Sequence, residues 1–169
     1  MSSLGLLLLL FDFYVKPTVK CELYAMLLQP YIVHIYDVYA ILGNTAVMKC
    51  HVPTFLLDYV HVTSWIRDAA FVIQTTADKE GKYVILPSGE LHIREVNPKD
   101  AMTNFRCQTH HTLTGETRLS ASAGRLFVTE PQGNVSPRIL TTQTAVHVRQ
   151  GEAAILSCVA QGYPVPNTT

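Results

Sequence analysis

The chain has 169 residues, and its 13 Lys or Arg residues are balanced by 13 Asp or Glu residues, so its formal net charge at pH 7 is zero. This balance gives no electrostatic footprint for nucleic acid and no basic surface for anionic lipid. Its length allows one small domain and part of another.

The first 30 residues are apolar but irregular, and we expect a leader or a signal segment there rather than part of a domain. The run MSSLGLLLLLF has the length of a secretory signal, but no Lys or Arg precedes it and no clear cleavage site follows. Asp12 and Lys16 interrupt it, so it is shorter than the roughly 20 residues of a membrane span. Two interpretations stay open, a secretory signal and a non-native leader. Cys21 lies in this stretch and is given no structural role.

Two later segments repeat one pattern. GNTAVMKC (Gly43 to Cys50) and GEAAILSC (Gly151 to Cys158) both place Ala, then Met or Leu, then Cys at alternate positions, which predicts one face of a β-strand. The offset between the cysteines is 158 − 50 = 108 residues, about the length of one small β-domain. The repeat therefore predicts tandem modules.

The segments after the first copy predict further strands. VHVTSWI (60–66) is rich in β-branched residues, and GELHIREVNPKDA (89–101) places apolar residues before an Asn-Pro turn. NFRCQTHH (104–111) puts Phe105, Cys107 and Thr109 on one face. TLTGETRL then reads as a hairpin, and GRLFVTEP as a last strand stopped by proline.

One tryptophan lies between the two cysteines of the first module. Trp65 follows Cys50 by 65 − 50 = 15 residues, and Cys107 follows Cys50 by 107 − 50 = 57 residues. Cysteine, tryptophan and cysteine at this spacing are typical of an immunoglobulin sandwich, in which the cysteines bridge the sheets and the tryptophan packs on the disulfide. We therefore predict an all-β, I-set immunoglobulin-like sandwich. Such a bridge contributes about 4 kcal/mol and implies an oxidising compartment. Phe105 stands where a tyrosine usually bonds back to the chain, a loss of about 1 kcal/mol.

The domain boundaries follow from these patterns. Residues 31–131 are predicted to form the complete domain, 132–137 a linker, and 138–169 the N-terminal part of a second, truncated immunoglobulin-like domain. We expect Ala154 and Leu156 to be poorly buried or packed on the first domain, because the later strands of the second are absent. Two glycosylation sequons begin at Asn134 and Asn167, the first weakened by the proline after its serine.

No catalytic motif is present: there is no G-x-S-x-G, no HExxH and no phosphate-binding glycine loop. We predict that the chain is not an enzyme and needs no cofactor or metal. His110 and His111 are adjacent, so in a strand they point to opposite faces. His51, His61 and His92 are scattered along the chain, and we expect all seven histidines to be solvated or hydrogen-bonded surface side chains.

The segment from Tyr31 to Ile41, YIVHIYDVYAI, is the candidate binding strand. A first strand lies at a sheet edge, where unpaired backbone groups can pair with another chain. Alternation predicts two faces, His34, Tyr36 and Val38 on one, Val33, Ile35 and Asp37 on the other. The alternative is that one face packs in the sandwich and the other is ordinary surface.

Several stretches resemble the Down syndrome cell adhesion molecule (Dscam) family, above all its extensively spliced invertebrate form. The similarity covers about Tyr31 to Pro166, as a second immunoglobulin domain followed by the start of the third. The stretches that carry it are GNTAVMKCHVPTF, VTSWIRD, GKYVILPSGELHIREV, THHTLTGETRLSASAGRLFVTEP and SPRILTTQTAVHVRQGEAAILSCVAQGYPVP.

This resemblance implies a glycoprotein receptor of the neuronal plasma membrane, anchored through parts that this chain lacks. It implies isoform-specific homophilic adhesion in axon guidance and neurite self-avoidance, with the first strands of two copies meeting antiparallel about a two-fold axis. The residues placed at that contact are His34, Tyr36, Asp37, Val38, Thr144, Val146 and His147. A cell-surface or soluble immune module with heterologous protein ligands and a structural intracellular immunoglobulin module are the alternatives.

Overall fold

The structure, a computed structural model, describes residues 25, 29–74, 81–142, 148, 150–151 and 154–167. Its strands within these residues are β1 Val38–Ile41, β2 Ala46–Met48, β3 Val60–Arg67, β4 Phe71–Gln74, β5 Tyr83–Ile85, β6 Leu91–Ile93, β7 Asn104–His111, β8 Thr117–Leu119, β9 Gly124–Thr129, β10 Val135–Thr142 and β11 Cys158–Tyr163. Two short 3₁₀ helices span Thr54–Leu56 and Pro98–Asp100.

The strands form two sheets of the first module and a separate pair. The larger sheet has the order β1-β9-β7-β3-β4, with β8 added on β7, and the smaller has the order β2-β6-β5. The strand β1 runs parallel to β9, whereas the other pairs of both sheets are antiparallel. The predicted immunoglobulin-like sandwich is confirmed.

The core lies between the two sheets, where the alternating apolar residues meet. Phe105 and Cys107 of β7 are 1% and 0% exposed, and Trp65 of β3 is fully buried. Cys50, just after β2, forms a disulfide with Cys107. The Trp65 indole N–H donates to the backbone carbonyl of Gly89, 3.0 Å away, in the turn between β5 and β6. Two cross-links, one covalent and one hydrogen-bonded, therefore join the larger sheet to the smaller.

The expectation that the histidines lie at the surface is wrong for two of them. His111 is 1% exposed, between the rings of Tyr31 and Tyr59, and its Nδ1 accepts the N–H of Leu113 at 3.2 Å. His92 is 8% exposed in β6 and lies beside a carboxylate. Nearby rings and polar groups allow each imidazole to be buried, a feature that spacing alone does not reveal.

Glu90 lies between two partner side chains, those of His92 and Lys49, beside the smaller sheet. The His92 imidazole, with Nε2 3.7 Å from Oε2, and the Lys49 ammonium, 2.9 Å from Oε1, hold the pKa of the Glu90 carboxyl below its usual value of 4.5. A carboxyl whose pKa is lowered by folding stabilises the fold above its unfolded pKa, and this contribution disappears as pH falls through the folded pKa.

We therefore expect Glu90→Gln to lower the free energy of unfolding by up to about 1 kcal/mol at pH 7 and by less at pH 3. Urea titrations at both pH values measure the difference. The exposed Glu130→Gln is the matched control, and an equal loss at both pH values for Glu90→Gln would contradict the assignment.

The second module is represented by one antiparallel pair, β10 with β11. The strand β10 begins at Val135, three residues before the predicted start at Arg138. In the described residues 154–157, the strand predicted before Cys158 is not formed: β11 begins at Cys158 itself, whose thiol is free and exposed. Ala154 and Leu156 are exposed, Leu156 by 74%, as expected for residues with no sheet to cover them.

Candidate recognition surface

The segment 31–36 runs along the outside of the sandwich with strict alternation. Its inward residues are Tyr31, Val33 and Ile35, each at most 5% exposed. Its outward residues are Ile32, His34 and Tyr36, with Ile32 and Tyr36 60% and 63% exposed. Inward burial stabilises the segment on the core, so its attachment depends mainly on the inward side chains.

One antiparallel bridge joins this segment to the residues that follow β2. His34 N–H donates to the His51 carbonyl at 3.3 Å, and His51 N–H donates to the His34 carbonyl at 2.9 Å. The Tyr36 ring meets the His51 ring edge-on, with 4.7 Å between centroids. A pairing this short leaves the segment at the margin of the smaller sheet, where another strand can approach.

The chain then crosses from the smaller sheet to the larger one. The Asp37 carboxylate accepts the N–H of Arg125 at 2.8 Å, and β1 pairs with β9 immediately afterwards. Gly124 lies at the crossing: a Cβ there would be 2.6 Å from the Tyr36 carbonyl oxygen and 2.3 Å from Ile35 Cγ2. A glycine is therefore needed for the segment to come this close.

The crossing corrects the predicted faces. Val38 is half-buried and packs against the core, so it does not share the outward face of His34 and Tyr36. Asp37 is exposed, and does not share the buried face of Val33 and Ile35. The reason is that the change of sheet resets the alternation.

Tyr39 is the outward residue that alternation from Tyr31 did not identify. It is 65% exposed, and its ring stacks on Phe127 of β9 with centroids 4.9 Å apart and an interplanar angle of 15°. Tyr39 lies on the side of the crossing where the chain joins the larger sheet, and Tyr36 on the side of the smaller sheet.

The other predicted residues are placed as follows. Thr144, Val146 and His147 lie outside the described residues. Asn134 and Asn167 are exposed, which agrees with a role as glycan acceptors but does not test it.

The described part of the chain holds neither a metal site nor a membrane span. No three His, Cys, Asp or Glu residues there are grouped so that they could hold a metal ion. No helix formed by the described residues is both long and apolar enough to cross a membrane.

Two packed sheets, a disulfide between them and a buried tryptophan beside it define an immunoglobulin-superfamily domain. Comparison with known proteins gives the family. The chain is 46% identical over 145 residues to the cell adhesion molecule Dscam1 of Drosophila melanogaster, covering 85% of this chain and 7% of that protein. It is 37% identical over 143 residues to human DSCAM, covering 85% of this chain and again 7% of the relative.

Solved structures support the same family. A crystal structure of the four N-terminal immunoglobulin domains of Dscam1 isoform 7.44 is 46% identical, with a TM-score of 0.74, and the match covers 81% of this chain and 36% of that one. A structure described as the structural basis for Dscam isoform specificity is 44% identical, with a TM-score of 0.75 and the same coverage of both chains. No protein-family model matches the chain. The immunoglobulin domains of this chain belong to the Dscam family.

Proposed function

We propose that this chain is part of a cell-surface adhesion receptor that binds a second copy of itself in an isoform-specific way. The chain spans only 7% of the length of the two curated relatives described above, both of which are called cell adhesion molecules. Their name supports an extracellular position, with attachment to the plasma membrane through other parts of the receptor. The Cys50–Cys107 disulfide supports an oxidising compartment and favours this function over a structural intracellular module.

The observation that carries the proposal is the exposure of two tyrosines in the segment 31–41. Tyr36, beside the smaller sheet, is 63% exposed, and Tyr39, on β1 of the larger sheet, is 65% exposed, while the inward residues of the segment are fixed in the core. Exposed tyrosines on a rigid support are favoured at protein interfaces, because they bury a large area at little cost in conformational entropy.

A second copy fits this face by antiparallel pairing about a two-fold axis. In such a contact each residue of one strand meets a residue of the same strand in the partner. One substitution therefore changes the interface at two symmetric positions. His34, Tyr36 and Asp37 are the proposed contact residues, with Val38 acting from the core side. Asp37 repels itself if it lies on the axis, and so discriminates between isoforms rather than adding attraction. Thr144, Val146 and His147 stay proposed contacts of the second module.

Bead aggregation tests the proposal with Tyr36→Ala against the matched control Phe71→Ala. Phe71 is 56% exposed on β4, at the other edge of the larger sheet. We expect wild-type beads to mix with Phe71→Ala beads and to segregate from Tyr36→Ala beads, because losing a central interface tyrosine weakens binding by about 30-fold.

Sedimentation of the soluble chain gives the same comparison without beads. If Tyr36→Ala and wild type associate as strongly as wild type with itself, the segment is not the contact. If beads carrying different natural isoforms mix as well as identical ones, binding is not isoform-specific.

A further inference from the structure

A second surface of the molecule is the junction between the two modules. The turn at residues 42–45, between β1 and β2, faces β11 of the second module. Asn44 in this turn is 2% exposed although its side chain is an amide. A buried amide of this kind needs hydrogen-bond partners, and they show which contact the site is built for.

The Asn44 side chain pairs with one backbone residue of the second module. Its Nδ2 donates to the Gly162 carbonyl at 3.0 Å, and its Oδ1 accepts the Gly162 N–H at 3.1 Å. Nδ2 also donates to the Leu42 carbonyl at 3.1 Å. The Asn44 amide nitrogen and oxygen therefore bind the backbone C=O and N–H of Gly162, as the backbone of a neighbouring β-strand does.

The turn that carries Asn44 is held in place by its own backbone. Gly43 N–H donates to the Val96 carbonyl at 2.8 Å, and Val96 N–H donates to the Asn44 carbonyl at 2.9 Å. Asn44 N–H donates to the Ile41 carbonyl at 3.0 Å. The amide is thus presented by a rigid support, which reduces the entropy lost when Gly162 binds.

Further contacts surround this pair. Gln161, 7% exposed, donates from Nε2 to the Thr45 carbonyl at 3.2 Å. A Cβ on Gly43 would be 3.0 Å from Val165 Cγ2, so the turn and the residues after β11 are in close contact.

The β10–β11 pair needs such a support. An isolated two-stranded hairpin is marginally stable in water at best. Ile139 and Leu140 of β10 are 56% and 42% exposed, whereas the buried side chains of β11 are Val159 and Gln161. The strand β11, which contacts the first module, therefore has buried side chains, whereas these two side chains of β10 are exposed.

We infer that Asn44 is a positioning residue that docks β11 on the first module and fixes the orientation of the second. Asn44 binds Gly162 of its own chain, whereas residues 31–41 are proposed to contact a second copy. This positioning role assigns a stabilising function to an asparagine whose position in a Gly-Asn-Thr turn predicts only turn formation.

Amide hydrogen exchange of the whole chain tests the inference, with Asn44→Ala and the exposed Asn104→Ala as matched control. We expect Asn44→Ala to speed exchange of the protected β11 amides, Gly162 among them, by roughly tenfold, because two hydrogen bonds across the junction are lost. Asn104→Ala should leave them unchanged. Trp65 is the sole tryptophan of the sequence and lies in the first module, so its fluorescence reports separately on the unfolding of that module.

Gln161→Ala provides a second variant that leaves the first module intact if Asn44→Ala unfolds it. Faster exchange across β11 in Gln161→Ala, with the Trp65 transition unchanged, supports docking. Unchanged β11 exchange in both variants overturns it, as does an effect limited to the Gly162 amide, because Asn44 would then satisfy one group without holding the strand.

Discussion

Replacing both cysteines, as Cys50→Ala with Cys107→Ala, is expected to lower the free energy of unfolding by about 4 kcal/mol. The disulfide closes a loop with a sequence separation of 57 residues. Opening that loop raises the conformational entropy of the unfolded chain, and the fold loses that advantage. Natural stabilities are only about 5–15 kcal/mol, so this loss is a large part of the total.

Urea unfolding followed by Trp65 fluorescence measures this loss, with Cys158→Ser as the control. Cys158 is free and exposed, so its substitution should change the unfolding free energy by less than about 0.5 kcal/mol. A double alanine variant within about 1 kcal/mol of wild type would show that the bridge does not form or does not stabilise the sandwich.

The second large effect is expected from Trp65→Ala, with a loss of about 4 kcal/mol. The substitution empties the centre of the sandwich, where the indole is fully buried, and leaves the Gly89 carbonyl without its donor. Trp65→Phe keeps most of the ring and loses the N–H, so we expect a loss of roughly 2 kcal/mol.

Thermal unfolding by far-ultraviolet circular dichroism compares the two variants, since the tryptophan signal is absent from both. The exposed Phe71→Ala is the control and should stay within about 0.5 kcal/mol of wild type. Equal losses for the alanine and phenylalanine variants would assign the effect to the hydrogen bond rather than to the cavity.

Much of the sandwich could be predicted because its strands follow a period of two. Phe105, Cys107 and Thr109 were placed on one face and are all buried. The spacing of Cys50, Trp65 and Cys107 identified the fold, because few architectures place a tryptophan against a disulfide between two sheets.

The errors share a physical cause. Alternation cannot show where a segment leaves one sheet for another, so Asp37 and Val38 were given the wrong faces. A strand also needs a neighbour, so the strand predicted before Cys158 is not formed in the described residues 154–157, although the exposure of Ala154 and Leu156 was expected. Asn44 was missed because its partner in the second module, Gly162, is 118 residues away in sequence.

The crossing at Asp37 divides the candidate binding strand into two segments, in which opposite sets of alternate residues face outward. Before it, even-numbered residues such as Ile32 and Tyr36 face outward, and after it Tyr39 does, while Ala40 is buried. An isoform can therefore change its outward side chains. Inserting one residue before Asp37 would exchange the inward and outward residues and place an outward side chain in a buried position. We expect natural variants of this strand to keep its length and to differ at alternate positions, so that the exposed residues vary while the buried residues stay the same.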